Sequence, residues 1–533
     1  MQYYLLVTNI EMNMFEKKES ENMAKITFIK PTLETDAIWD PIRTSPYLGI
    51  WYLASDLKNK GHEVTYLDEV VRDNGLTKQT QTNLITTAKN QEYKKIADQT
   101  IKEFQKQKMN DFKTLTPENF VRKYSAFKEE NTVKRRMIRT GQPISSTINK
   151  LEELQPDIVG IPLISSANYL GATQLASEIK NKFPKTKIIF GGQHTSWDKT
   201  LQDKPYVDHV VVGDGIGAID KIIEGNAPKT IYGGFQTMDK FPLLDPKILE
   251  NVGYPKQPTH TYPTNGRKAI DFMFSKGCFN NCEFCVAGSQ KNRVTTTKYE
   301  RLSKQLKLFK EYEVKELVLQ DDAFLWDRRH VQYHLPAVLG LMKKEGLYWQ
   351  NNGGVEFEAI DDFVTEQLIH YNKYGEGKVT SLYVPFNPRA WNKNKSASKS
   401  MTGRYHKNLE NLKRLREEGG IYVFTSAIIG TPEQTKESIL EELETDKTLI
   451  QKGYIDAALC LSATMLPATQ WFKKNGHNIV NKNDWAGYSL FTTHHRTEHL
   501  SPQDIEEAVI NWNKTLDPIQ KTYKWGTAFP NSE

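Results

Sequence analysis

Three of the chain's four cysteines, Cys278, Cys282 and Cys285, lie within eight positions, spaced C-x3-C-x2-C. Thiolates are soft ligands suited to iron–sulfur clusters and to zinc. A structural zinc site takes four ligands, usually as two Cys or His pairs. The nearest histidines on either side, His260 and His330, lie outside this loop, so zinc is the poorer reading. Three cysteines can instead hold three irons of a [4Fe–4S] cube and leave the fourth iron open to another ligand. The run at 269–274 reads as the strand that delivers the loop.

Around the loop the chain alternates short β-branched runs with amphipathic stretches. Strands are expected at 26–30, 64–67, 157–161, 187–190 and 209–212, with helices at 48–60 and 169–182. This alternation implies a parallel sheet with helices on both faces, a Rossmann-like, doubly wound α/β domain over residues 23–225. In such sheets ligands bind beyond the carboxyl ends of the strands. Those ends carry Ser165 and Ser166, then Gly191, Gly192, Gln193 and His194, then Gly213, Asp214 and Gly215. After a proline-rich stretch at 226–266, read as a linker, alternation resumes. Strands are expected at 269–274, 316–320, 348–355, 380–385, 421–429 and 456–461, with helices at 302–312, 331–344, 407–418 and 436–451. Six β/α units over 267–475 fit a partial TIM-like barrel, whose site lies at the strand C-termini. Residues 476–533 form a C-terminal extension.

Few and clustered cysteines argue against a disulfide framework and for a reducing compartment, with the cytoplasm as the expected location. No apolar run approaches a membrane span, so no membrane partner is expected. Residues 1–22 lack the pattern of a secretory signal and read as an arm or an upstream start. Net charge is +6, but residues 76–150 carry 16 Lys/Arg against 7 Asp/Glu. This basic segment shows helical periodicity (Ile96, Ile101, Phe104; Phe120, Tyr124, Phe127) and reads as a helical insertion in the first domain. A solvated helical face accounts for it better than a nucleic-acid surface.

The two halves resemble the two domains of cobalamin-dependent radical S-adenosylmethionine (SAM) enzymes of the class B methyltransferase type. The first half carries the resemblance in Ser45-Pro46-Tyr47-Leu48-Gly49-Ile50, Gly61-His62-Glu63-Val64, Pro156-Asp157-Ile158-Val159-Gly160, Gly191-Gly192-Gln193-His194 and Val212-Gly213-Asp214-Gly215. The second half carries it in the cysteine loop with Phe284 before its last Cys, in Asp321-Asp322-Ala323-Phe324, in Ile428-Ile429-Gly430-Thr431-Pro432-Glu433, and in Met465-Leu466-Pro467-Ala468-Thr469-Gln470-Trp471-Phe472. Two departures stand out. The Asp-x-His-x-x-Gly cobalt-ligand motif is absent after the first strand, which leaves His194 as a candidate ligand or, better, a turn-stabilising residue. The Glu-Ser pair expected after the fourth barrel strand reads Pro385-Phe386-Asn387-Pro388-Arg389, leaving ribose recognition unassigned.

The resemblance implies three cofactors: a [4Fe–4S] cluster on Cys278, Cys282 and Cys285, SAM, and cobalamin. It implies cobalamin contacts from Ser165, Ser166, Gly191–His194 and Gly213–Gly215, and SAM contacts from Phe284, Asp321, Asp322, Gly430 and Glu433. Glu433 has a second reading, as a helix-capping carboxylate. Cys460 reads as a packed small residue or a substrate-side thiol, and His494 or His495 as an acid or base at the barrel mouth. Arg389, Lys393, Lys395, Lys399 and Arg404 offer a solvated edge or a clamp for an anionic substrate. The implied activity is C-methylation of an unactivated carbon in a small metabolite or natural-product precursor. An external one-electron reductant such as flavodoxin or ferredoxin would supply the electron that cleaves SAM. A rearrangement, cyclisation or other radical transfer without methylation uses the same cofactors, and the residues do not separate the two. A methylthiotransferase acting on RNA would need further cysteines in the first domain, which has none. From another class, a cobalamin-binding sensor or nucleic-acid-binding protein would use the basic insertion and turn over no SAM.

Overall fold

The computed structural model describes residues 23–35, 45–70, 78–85, 135–140, 142–250, 252, 263–280, 282–287, 293–325, 328–386, 399–480, 482, 485–488 and 493–521. The helical runs expected inside the insertion, and Arg389, Lys393 and Lys395, lie outside these residues.

The first domain begins with β1 (Lys25–Lys30), β2 (Leu33–Thr35), α1 (Leu48–Asn59) and β3 (Glu63–Asp68). It continues with β4 (Lys78–Ile85), β5 (Arg135–Thr140), α2 (Ile144–Leu154), β6 (Ile158–Pro162), α3 (Tyr169–Lys182), β7 (Lys187–Gly191), β8 (His209–Gly213), α4 (Ala218–Ile223) and β9 (Thr230–Gly234). Its main sheet is parallel, in the order β3-β1-β6-β7-β8-β9. Strand order reverses between β1 and β6, the switch point at which doubly wound sheets open a ligand crevice. β9 comes from the stretch read as linker, so the sheet extends past residue 225. Its glycines and flanking Pro228 disguise it as loop sequence. At the ends of the insertion the structure adds strands that the helical reading did not include: β4 and β5 pair antiparallel and, with β2, form a small sheet in the order β2-β5-β4.

The second domain holds β10 (Ala269–Phe272), β11 (Ser275–Lys276), β12 (Thr295–Thr296), α5 (Tyr299–Glu311), β13 (Glu316–Leu319), α6 (Arg328–Lys344), β14 (Tyr348–Asn351), α7 (Asp362–Tyr374) and β15 (Val379–Tyr383). Then come α8 (Lys399–Glu417), β16 (Tyr422–Ile429), α9 (Lys436–Gln451), β17 (Ala457–Ser462), α10 (Gln470–Asn475) and α11 (Pro502–Leu516). Six parallel strands run in sequence order, β10-β13-β14-β15-β16-β17. No pairing joins the outer strands among the described residues, as expected of an open, partial barrel. Alternation along the strands assigns the two faces. Phe272, Leu317, Leu319, Trp349, Leu382, Val423 and Ala427 pack in one large core with the helices. Tyr422, Phe424 and Ala457 form a separate cluster on the other face, with Tyr383 and Leu459 against it.

Helix α1 fixes one domain on the other. Ile50, Ala54 and Leu57 pack in the core of the first sheet, while Trp51 and Tyr52 belong to the barrel core. Trp51 Nε1 donates to Asp245 O at 2.8 Å, and Tyr52 meets Phe241 edge-to-face at 5.0 Å. A helix apolar on most sides is a buried one, and here it lies between two domains. No described helix is long and apolar enough to cross a membrane.

Candidate active site between the two sheet edges

The cysteine loop leaves β10 through β11 and is held by the neighbouring strand end. Asp321, just past β13, accepts from Phe274 N at 3.1 Å and from Ser275 N and Oγ, both at 2.6 Å. Asp322 accepts from Gly277 N at 2.8 Å. Loop amides without strand partners need acceptors when buried, and these carboxylates supply them. Burial pushes the Asp321 carboxyl up to about 7, although the Ser275 and Phe274 donors pull the other way. Burial also raises Asp322. The resemblance assigns these carboxylates to the SAM amino group; the bonds seen here go to the loop backbone, which they shape. Gly277 has φ +92°, and a Cβ there would sit 1.9 Å from Arg293 O, so only glycine fits this turn.

Beyond it, Cys278 is buried, Cys285 half-buried and Cys282 exposed. Cys278 Sγ accepts from Asn280 N at 3.3 Å. Burial raises the Cys278 and Cys282 thiols, and the neighbouring cysteines and Glu356 raise them further. Thiols raised in this way at Cys278 and Cys282 are suited to a cationic iron cluster, which would relieve the repulsion. Among the described residues no three Cys, His, Asp or Glu side chains converge on one metal-ion position. Glu356, which the sequence did not single out, stands beside the loop through Asn280 Nδ2. The loop's far side is pinned by α10: Trp471 N donates to Glu283 O at 3.0 Å, and Lys474 pairs with Glu283 at 2.5 Å. Phe284 is largely exposed and tilts against Trp471 at 5.7 Å.

At the other strand ends of the barrel, Gly430 turns the chain with φ +98°. Its N–H donates to Gln434 Oε1 at 2.7 Å, and its carbonyl accepts from His495 Nε2 at 2.8 Å. Gln434 also accepts from Thr431 N and donates to Ile428 O, so it organises this loop. Glu433 is exposed, and Thr435, not Glu433, caps α9 through Ser438. His494 and His495 are buried. Burial lowers the His495 imidazole, so it is neutral near pH 7 and secures the Gly430 turn. Cys460 does not face the barrel interior. It packs in the helix-side core with Ala458 and Ala427, and burial raises its thiol well above the usual range. The substrate-side thiol reading is therefore set aside. Toward the interior, Tyr383 stacks on Phe424 at 5.1 Å and bonds Ser426 Oγ at 2.5 Å. Gln320 Nε2 and Ser381 Oγ are buried without a hydrogen-bond partner among the described residues. Such orphaned groups fit a polar ligand inside the barrel. Arg404 is exposed on α8.

The edge of the first sheet is built differently. Ser166 Oγ meets His194 Nδ1 at 2.9 Å, and His194 Nε2 lies 3.7 Å from Asp198 Oδ2. Burial works to raise Asp198, but His194 and Thr200 outweigh it and hold the carboxyl at about 2. His194 is fully buried and meets Trp485 of the C-terminal extension edge-to-face at 4.7 Å. It braces the β6 and β7 loops and is not presented as a cobalt ligand. What faces the crevice is backbone and small residues: Gly191, Gly192 and Gln193 are half-buried, Ser165 half-buried, Gly213 exposed and Gly215 half-buried. Gly192 has φ +97°, and a Cβ there would come 2.7 Å from Leu163 O. A large flat ligand that needs close backbone approach suits this edge. Asp214 is turned away from it: both carboxylate oxygens engage Lys276 of the cysteine loop, so the two edges meet.

A profile of the B12 binding domain matches residues 125–223. Among solved structures, the chain is similar to the apo, selenomethionine-labelled cobalamin-dependent SAM radical enzyme OxsB (TM-score 0.55, 12% identity, covering 93% of this chain and 67% of that one). It is also similar to the radical SAM methyltransferase TsrM from Kitasatospora setae, solved with tryptophan substrate and a SAM analogue (TM-score 0.54, 12% identity, covering 92% and 89%). No curated protein sequence gives a significant match. Residues 125–223 thus match the B12 binding domain, and the chain carries, over nearly all its length, the fold seen in these cobalamin-dependent and radical SAM enzymes.

Proposed function

We propose that this chain is a cobalamin-dependent radical SAM enzyme that methylates a small molecule, with an unactivated carbon as the methyl acceptor. The observation that carries this reading is the apposition of the cysteine loop and the glycine-lined sheet edge through Lys276 and Asp214. When bound, the cluster and SAM supply a radical from one external electron, and cobalamin supplies a methyl group.

The protein's part is placement. Cys278, Cys282 and Cys285 would hold the cluster, on a loop whose backbone Asp321 and Asp322 fix. The inner barrel face, with Gln320, Tyr383 and Ser426, offers SAM a polar wall and an aromatic one. Gly191, Gly192 and Gly213 would hold cobalamin by close backbone approach, while His194 stays engaged with Ser166 and Asp198. Substrate would occupy the gap between the edges, and the covering segment around Trp485, docked on Tyr169 and His194, would exclude water from it.

The test is anaerobic reconstitution with iron, sulfide, hydroxocobalamin, SAM and a strong reductant. Absorbance should report both an iron–sulfur cluster and a corrinoid, and mass spectrometry should report 5′-deoxyadenosine and a product with methyl in place of hydrogen. An unmethylated radical product would overturn methylation. Binding of cobalamin without any turnover of SAM, under assay of candidate substrates, would overturn the enzymatic reading.

A further inference from the structure

The contact between the two sheet edges is an ion pair with unusually well-fixed ends. Asp214 directly follows β8. Its N–H donates to Gly234 O at 3.0 Å, and its carboxylate also accepts from Gln236 N. Gly233 lies so close that a Cβ there would sit 1.7 Å from Asp214 O. Lys276 sits in β11, two residues before Cys278. The residue before it is tied to Asp321 and the residue after it to Asp322. Its ammonium rests over Phe235 at 4.4 Å and Phe241 at 5.1 Å from the ring centres. The two side chains are only 15% and 17% exposed.

An exposed pair on flexible stems transmits little. This one is partly shielded from water and salt, and both partners are braced by backbone hydrogen bonds. Removing either partner leaves the other charge poorly solvated. Other polar ties join the two regions, Ser45 Oγ to Asp271 Oδ2 at 2.9 Å, Trp51 and Lys58 to Asp245, and Met238 N to Thr295 Oγ1 at 3.1 Å; the last reaches β12, the strand paired with Lys276, but carries no charge.

We propose that Lys276 and Asp214 form an interdomain latch, a positioning pair that sets the distance between the cysteine loop and the first domain's ligand edge. Its catalytic consequence rests on the function proposed above; its structural consequence does not. With the latch closed, a radical made at the barrel would meet substrate and methyl donor at one spacing. With it open, SAM would be cleaved without methyl transfer.

The test is a double-mutant cycle on the full chain, with and without cofactors, using Lys276→Met, Asp214→Asn, the pair together, and the swap Lys276→Asp with Asp214→Lys. Hydrogen exchange of the amides at 275–280 and 233–236 is the first readout. Each single change should speed exchange about tenfold, the double change should add nothing further, and the swap should restore most of the protection. Unchanged or independently additive exchange would overturn the latch. The second readout is SAM consumed per methylated product in the reconstituted protein. It should rise about tenfold in each single variant while cluster absorbance and cobalamin content hold. A constant ratio with coupled exchange would overturn the role in cofactor spacing. Absence of SAM turnover in the unsubstituted protein would overturn the proposed function, and the exchange cycle would still decide the latch.

Discussion

The two sheet edges face one another but present different chemistry. The barrel edge offers side chains, namely three thiols on a loop whose backbone is held by Asp321 and Asp322. The edge of the first domain offers backbone, with its polar side chains turned inward as the Ser166–His194–Asp198 chain. A metal cluster needs donors of one kind at set positions, whereas a broad planar ligand needs the absence of side chains. The carboxylates and the histidine do similar work on the two edges, since each stabilises a loop and leaves the ligand-facing groups free.

The strongest way to break this comparison is at the cysteines. Cys282→Ala should abolish iron–sulfur absorbance and lower SAM turnover by at least about a hundredfold, with cobalamin binding retained. Loss of cobalamin binding in the same variant would show that the edges are not separable. The mirror experiment is Gly192→Val. The φ of +97° and the 2.7 Å approach to Leu163 O should cost about 1–3 kcal/mol. Cobalamin affinity, read by absorbance titration, should fall at least about tenfold while the cluster persists; unchanged affinity would remove this edge as the cradle.

A pH experiment sharpens the role of Asp321. Its carboxyl titrates near 7 in the folded chain against about 3.9 unfolded. The folded state therefore binds the extra proton between those values. Its contribution to stability is complete below about pH 4 and is lost as pH rises toward 7, at up to about 1.4 kcal/mol per pH unit. Urea unfolding of Asp321→Asn across this window should show a flatter pH dependence than the parent, and an equal slope would contradict the assignment. The smallest effect is expected at His495. Replacing it with Ala removes one bond to Gly430 O and should lower stability by about 1–2 kcal/mol in the same assay. A loss of turnover without a loss of stability would return it to an acid–base role.

Much of the architecture was legible because strand runs and amphipathic helices have different periods. Helix α3 falls on 169–182 as read, and the six barrel strands appear in their expected places. β9 was hidden by glycines, and α7 was missed among the strand signals around it. The site is less legible for another reason. Cys460 has two readings in the sequence, and its place in the helix-side core agrees with the packed one; Leu459, one step along the strand, faces the other way, so register alone decides between them. Glu433 looked like the functional residue of its loop, yet Gln434 beside it makes the bonds.

The sequence by itself determined the donor set and the kind of edge, since thiols in C-x3-C-x2-C and glycines at strand ends are covalent facts of the chain. Tertiary structure decided which polar groups are spent on holding loops and which remain for ligands. That choice depends on donors supplied from distant segments, as Ser275 is to Asp321 and Lys276 to Asp214. Spacing along the chain carries no record of such partners, because they meet only when neighbouring barrel strands pair and the two sheets come together.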